Sequence, residues 1–330
     1  MSALAPLLQS FFTERLVGQR RVSPNTIAGY RDTFRLLLRF AADRTGTQPS
    51  RIDIGQIDAP LISAFLDHLE HERGNSVRTR NNRLAAIHSL FGYGVLRHPE
   101  HAATIARVLS IPAKRCERNV VSWLTRVEVD ALLAAPDRNS WAGRRDHAML
   151  TLAAQTGLRI SEVIGLTVAD IHLGAGAYVH CVGKGRKERA TPLKPLTVRV
   201  LRVWLAERRG APPDPLFPTI TGRRLSRDAI EHRLAQHVAT AREACPSLRT
   251  KHVGMHTLRH SAAMRLLESG TDATVIALWF GHENPSTTAR IYLHADMTQK
   301  QKALDRLTPA GTKPGRFRPS DTLLAFLDGL

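Results

Sequence analysis

Cysteine, acidic charge and long apolar runs are all scarce in this chain. Three cysteines occur, Cys116, Cys181 and Cys245, an odd number without C-x-x-C spacing. They read as small buried residues in a reducing compartment, not as a disulfide frame. No apolar run approaches about 18 residues, and the opening residues lack a charged segment followed by a cleavage site. No basic amphipathic anchor stands beside a lipidation signal, so a soluble cytoplasmic protein without a membrane partner is expected. His252, His256 and His260 recur every four residues, but no carboxylate occurs between His252 and Ser261 to complete a zinc or magnesium shell. Arg259 among them would repel a divalent cation. No metal and no cofactor are expected.

What the chain has instead is basic charge, 47 Lys and Arg against 29 Asp and Glu, for a net +18. Such a balance says little about fold but predicts attraction to polyanions, with nucleic acid as partner. A length of 330 residues implies two or more domains, and 43% hydrophobic content supplies real cores.

Residues 1–110 read as helices only. Leu4, Leu7, Phe11 and Leu16 give one helical stripe. Ser23-Pro24, Asp58-Ala59-Pro60 and Gly74-Asn75-Ser76 each start another. The polar face of the fourth helix holds Arg78, Arg80, Asn81, Asn82 and Arg83, a charge run that is usually a solvated face. The stretch from about Pro99 to Val121 is basic and without clear periodicity, as a linker would be, with residues 111–122 set between domains. A second domain, 123–310, opens on Thr125-x-x-Glu128, a capping box. Arg144 to Thr156 reads as a long apolar helix stopped by Gly157. Arg159 then opens a helix whose Ile160, Val163 and Ile164 must be core, so it needs a partner or a ligand. Glu162, three residues on, is the nearest partner. Tyr178–Val182 and Arg189–Leu193 alternate like strands around a basic turn, GKGRKER. The helix from Ser226 to Glu243 carries Arg227, Arg233 and Arg242 on its polar side. Residues 311–330 form a basic Gly/Pro-rich linker and a short apolar C-terminal helix.

The chain is organised around the stretch from His256 to Asp296. His256 and Arg259 share one helical face, with Thr257 or a residue just before it as cap and Gly270 as stop. A short helix from Asp272 to Phe280 ends at Gly281 and puts His282 beyond it. Ser286 can cap a third helix carrying Tyr292. The pattern H-x-x-R, then GH, then Y-L-H resembles the signature of the tyrosine recombinases, the phage-integrase family. TGLRISE around Arg159 and the basic hairpin match that family too, and the resemblance covers nearly the whole chain. His282 and Tyr292 stand ten residues apart, one more than the family's usual gap. One extra helical residue turns a side chain by about 100°, and the turn at Asn284-Pro285 is expected to absorb it.

The resemblance implies a mainly α fold with a small β-sheet. A helical N-terminal core-binding (SAM-like) clamp domain precedes an α+β catalytic domain. It implies that Arg159 and Arg259 hold the scissile phosphate, with His256 as proton acceptor and His282 as a further phosphate donor. Lys184, with Lys187 second, protonates the leaving oxygen, and Tyr292 is the nucleophile. Glu162 is the acidic support of the site, and Arg78, Arg80 and Arg83 become DNA contacts. The partners implied are double-stranded DNA with a specific recombination site and further protomers, a tetramer on DNA. The run YLHADMTQKQKALDRL looks most like mobile-element or plasmid integrases. Two other functions stay open: a DNA-binding regulator of the same fold with weak catalysis, and a type IB topoisomerase-like enzyme.

Overall fold

A computed structural model of the chain describes residues 4–116, 122–183 and 188–281. The chain divides at Arg118 into two compact units. In the first, α1 (Leu4–Ser10) runs on as a π-helical segment, Phe11–Gln19. Helix α2 (Pro24–Thr45) starts where the Ser23 hydroxyl accepts from the Thr26 N–H, and stops at left-handed Gly46. Asp58 caps α3 (Ala59–His71) and Ser76 caps α4 (Val77–Gly94) in the same way. The core gathers Phe11, Phe34, Phe65, Leu84, Ile87 and Phe91, all nearly inaccessible.

The unit departs from the sequence expectation in two places. The stretch from Pro99 is not aperiodic throughout. Ala102–Leu109 forms α5, which buries Ile105 and Val108, and His88 on α4 hydrogen-bonds the Val108 carbonyl at 3.0 Å. Arg80 does not lie on the polar face. It is buried, and its Nη1 donates to Asn81 Oδ1 at 3.1 Å and to the Pro112 carbonyl at 3.4 Å. Asn81 in turn donates to the Lys114 carbonyl and accepts from the Lys114 N–H. These two side chains hold residues 112–114 against α4. Arg78 is exposed. Arg83 is half-buried, and burial, with repulsion from Arg73, lowers its pKa.

In the second unit the capping box forms as expected at α6 (Arg126–Ala134). The Glu128 carboxylate also accepts from Ser247 and Lys251, each at 2.7 Å. Helix α7 (Trp141–Thr156) runs through the core and packs on α6, on α9 (Pro195–Arg208) and on α11 (Met255–Glu268). Between α8 (Ile160–Gly165) and α9 lies an antiparallel sheet: β1 (Ile171–His172), β2 (Tyr178–Val182) and β3 (Glu188–Pro192), in that order. Cys181 pairs with Arg189 and Val179 with Thr191, and these four side chains turn inward. Helix α10 (Arg227–Ala244) precedes α11, and α12 (Ala273–Phe280) follows it. The cap of α11 is Gly254, not Thr257; the Thr257 hydroxyl accepts from the Gly254 N–H at 3.1 Å. No helix among the described residues is long and apolar enough to cross a membrane.

Two of the three arginines of α10 are turned to structural use, while Arg227 stays exposed and pairs with Glu231 on the surface. Arg233 Nη1 reaches Asp146 at 3.1 Å, and Arg242 donates to the carbonyls of Leu248 and Lys251. Asp146 is fully buried and also accepts from Arg145 at 2.7 and 2.9 Å and from His237 at 2.9 Å. Burial favours its neutral form, but His237 and the two arginines outweigh that and lower its pKa. The carboxylate therefore stabilises the unit above its ordinary value of 3.8, and the contribution is lost as pH falls through the lower folded value. Asp146→Ala strands the Arg145 charge and should cost the second unit about 3–5 kcal/mol. All four tryptophans, residues 123, 141, 204 and 279, lie in that unit. Tryptophan fluorescence in urea thus reads the loss directly; a loss under about 1 kcal/mol would mean the network is dispensable.

Candidate active site

Helix α7 ends inside the protein, and the last carbonyls of a helix have no partner within it. Side chains from α11 and α12 supply the donors. Arg265 donates to the Ala154 carbonyl, Trp279 Nε1 to the Thr156 carbonyl at 3.2 Å, and Arg259 Nη1 to the Gly157 carbonyl at 2.7 Å. Arg259 Nη2 donates to the Phe280 carbonyl at 2.7 Å, where α12 ends. Its guanidinium lies 4.8 Å from the centre of the Phe280 ring. One arginine thus joins two helix C-termini, whose dipoles favour a cation. A small apolar cluster of Ala262, Ala263, Met264, Ile276 and Phe280 holds α11 against α12 behind it.

Arg159 stands at the N-cap of α8. Its backbone N–H and its Nη1 donate to Glu162, at 2.7 and 2.9 Å, and its Nη2 lies 3.4 Å from the Gly281 carbonyl. The ion pair that the spacing suggested is therefore real. It does not exhaust the guanidinium: the Arg159 side chain is 30% exposed while that of Glu162 is 3% exposed. Glu162 has a second cation, Arg189 on β3, bound through both Nη atoms at 3.0 and 2.7 Å. Burial raises the Glu162 pKa, but the bonds from Arg189 and from Arg159 outweigh it, and the carboxylate is held below its ordinary range. For Arg189 burial works against the charge, and Glu162 more than offsets it. Beneath them Cys181 stays a neutral thiol, its pKa pushed by burial to about 11.

His256 lies one turn before Arg259, exposed, with its ring edge-on to His260 at 4.5 Å. The protein packed around its ring, then Arg259 and Arg159, lower its pKa below 6.5. The imidazole is thus neutral at neutral pH and able to accept a proton. The structure brings Arg159, Arg259, His256 and Glu162 together. Lys184, Lys187, His282 and Tyr292 lie outside the described residues, as does the C-terminal helix. Arg189 was not singled out in the sequence, though a signal existed: it alternates with Thr191 on the inward face of a strand, where a charge requires a partner.

Comparison with known proteins gives a consistent picture. Residues 122–299 match the model of the phage integrase family, and residues 10–98 match that of the phage integrase N-terminal SAM-like domain. The chain is 54% identical over 329 residues to a putative integrase/recombinase of Sinorhizobium fredii, covering 100% of this chain and 99% of that one. It is 32% identical to the tyrosine recombinase XerD of Pseudomonas aeruginosa over 94% of this chain and 100% of the relative. In fold it resembles the Tn1549 transposon integrase in complex with transposon right end DNA. The TM-score is 0.69 at 18% identity, over 91% of this chain and 99% of that one. A second structural neighbour is the XerH site-specific recombinase bound to palindromic difH substrate, a post-cleavage complex, at TM-score 0.67 and 24% identity, over 83% and 79% of the two chains.

The seat of Arg259 depends on Gly157, whose φ is +64° and where an added Cβ would meet Phe280 Cε1 at 2.2 Å. Gly157→Ala should cost roughly 1–2 kcal/mol for the left-handed backbone and about 1–3 kcal/mol for overpacking. Adding Phe280→Leu should recover the second part only. Urea unfolding of the two variants checks this; a single variant as stable as the parent would refute the close contact.

Proposed function

Because the chain belongs to the phage integrase family of tyrosine recombinases, we propose that it cuts and rejoins DNA at specific sites through a 3′-phosphotyrosine link to Tyr292. The observation that carries this is the arginine cluster, in which Arg159 and Arg189 share the Glu162 carboxylate while Arg259 is held by the carbonyls of Gly157 and Phe280, so that a surplus of positive charge stays at a helix-end cradle. Two arginines suit a phosphodiester, because bidentate hydrogen bonds to its non-bridging oxygens strengthen as charge grows in the transition state. The Tyr292 hydroxyl has an ordinary pKa of about 10, so it needs a base, and neutral His256 takes its proton. The tyrosyl oxygen bonds to phosphorus, the bond to the 5′-oxygen breaks, and Lys184 protonates that leaving oxygen. His282 donates to a phosphate oxygen. Attack by the 5′-hydroxyl of a second strand reverses the sequence, conserving bond energy.

In this reading residues 1–110 clamp the duplex, with Arg78 and Arg83 the better placed contacts since Arg80 is buried, and residues 123–310 cut it. The partners are duplex DNA with a recombination site and further protomers, as a tetramer. The relative named integrase/recombinase and the fold of a transposon integrase support a role in moving a mobile element.

The test uses a duplex that the full-length protein itself selects from a random-sequence pool, nicked to trap the cleaved state. Wild type should give a covalent adduct through the 3′-phosphate, and Tyr292→Phe should give none while binding equally well. Arg159→Ala and Arg259→Ala should each slow adduct formation by about 10²–10³. Adduct formation by Tyr292→Phe would move the nucleophile elsewhere. A wild type that binds and never forms an adduct would make the protein a DNA-binding regulator.

A further inference from the structure

The pairing around Glu162 assigns a role to a residue that the proposed chemistry leaves unused. We propose that Arg189 is a positioning residue for strand cleavage: by taking a share of the Glu162 carboxylate from β3, it lets Arg159 be held in place without being neutralised. This rests on the reading of the site as a phosphodiester-cleaving centre.

Charge and access together set what Arg159 can offer. A carboxylate carries one negative charge. Were Arg159 its only partner, the pair would be neutral and Arg159 would offer a phosphate little beyond hydrogen bonds. With Arg189 on the same carboxylate, at 3.0 and 2.7 Å, the trio keeps one net positive charge. Access decides where it is felt. The Arg189 side chain is 11% exposed and commits both terminal nitrogens to Glu162, whereas Arg159 is 30% exposed and commits one. The surplus is therefore presented through Arg159. Arg189 does not reach a substrate and so is no catalytic residue.

The backbone around it fits this task. Gln155 on α7 donates to the Pro192 carbonyl and accepts from the Lys194 N–H, at 2.9 and 3.1 Å, which fixes the end of β3 against α7. At Gly281 a Cβ would come within 3.2 Å of Arg189 Nη1. A glycine there lets the guanidinium pass beneath the end of α12, whose next carbonyl lies against Arg159. The groups facing Glu162 are Arg159 at its own helix start, Arg189 from β3 and Cys181 from β2, with Arg259 and His256 from α11 in the same cluster. Of these, Arg189 is the foremost in keeping Glu162 ionised. Without it the Glu162 pKa rises: above that pKa the carboxylate neutralises Arg159, and below it a protonated Glu162 no longer holds Arg159 as an ion pair.

The experiment compares full-length wild type, Arg189→Met, Arg189→Lys and Glu162→Gln on the nicked, protein-selected duplex, in single turnover with protein saturating. Arg189→Met should slow adduct formation by about 10- to 100-fold while the Kd for the duplex changes less than about threefold. The acid limb of its rate profile should move to higher pH than in wild type. Glu162→Gln should lack that shift, having no proton to take up. Arg189→Lys should recover the wild-type pH profile with only part of the rate, since an ammonium cannot grip both oxygens of the carboxylate. A Met variant with wild-type rate and pH profile would overturn the proposal. So would a slowing matched by lost binding and lower tryptophan-reported stability with an unchanged pH profile, for then Arg189 only holds the fold. If the Met variant does not fold, the Lys variant decides, and an unreduced rate there overturns the proposal. If wild type forms no adduct, it is the cleavage reading that has failed. The Glu162 titration, followed by carboxyl ¹³C NMR, then judges the pairing alone: an upward shift in Arg189→Met that is absent or smaller in Arg189→Lys supports it, and no shift in Arg189→Met overturns it.

Discussion

Two helices end against one guanidinium, and the site follows from that constraint. A carbonyl taken out of water without a donor costs about 1–3 kcal/mol, and the buried ends of α7 and α12 present several. Arg259 answers two of them, at Gly157 and Phe280, while Arg265 and Trp279 answer the carbonyls of Ala154 and Thr156. The arginine is thus fixed by the needs of the backbone alone. Its placement is a by-product of closing the core, so under the proposed cleavage it would need little rearrangement at the moment of reaction.

Two of the arginine–carboxylate networks among the described residues of this unit each share a buried carboxylate, and they differ in what stands around it. Asp146 is surrounded by Arg145, Arg233 and His237, yet the side chains of both Asp146 and Arg145 are 1% exposed. That network joins α7 to α10 and leaves no charge facing solvent near its carboxylate except the partly open Arg233. Around Glu162 the chemistry is the same and Arg159 is about as exposed as Arg233, 30% against 33%, but here Arg259 and His256 stand beside the open arginine. Burial of the carboxylate serves structure in the first case. In the second it fixes the aim of an arginine that remains accessible.

What was legible in the sequence was local. Thr125 and Glu128, Ser23-Pro24, Asp58 and Asp272 announce helix starts because the capping bond spans two or three residues. Arg159 and Glu162 were legible for the same reason, three residues apart on one turn. What escaped was decided across the chain. Arg80 sits in a polar run and looked solvated, but its partner is a carbonyl 32 residues away. Arg233 looked like an outward basic group until Asp146, 87 residues earlier, took it. Helix α5 is short, and only two of its residues reach the core, too few to show a period. Arg189 was hidden by a strand whose two-residue alternation is brief, although that same alternation pointed it inward.

The span of these contacts has a consequence for how the protein is made. Arg189 must find Glu162 across 27 residues, and Arg259 must find Gly157 across 102. Loop closure of that size is slow and comes after local structure has formed. A ribosome delivers the chain from its N-terminus, so the α7 end emerges long before its guanidinium partner does. The first unit closes on contacts among its own residues and is complete while the second is still being translated. Nascent and prematurely terminated chains therefore carry basic charge and folded helices but no assembled arginine cluster.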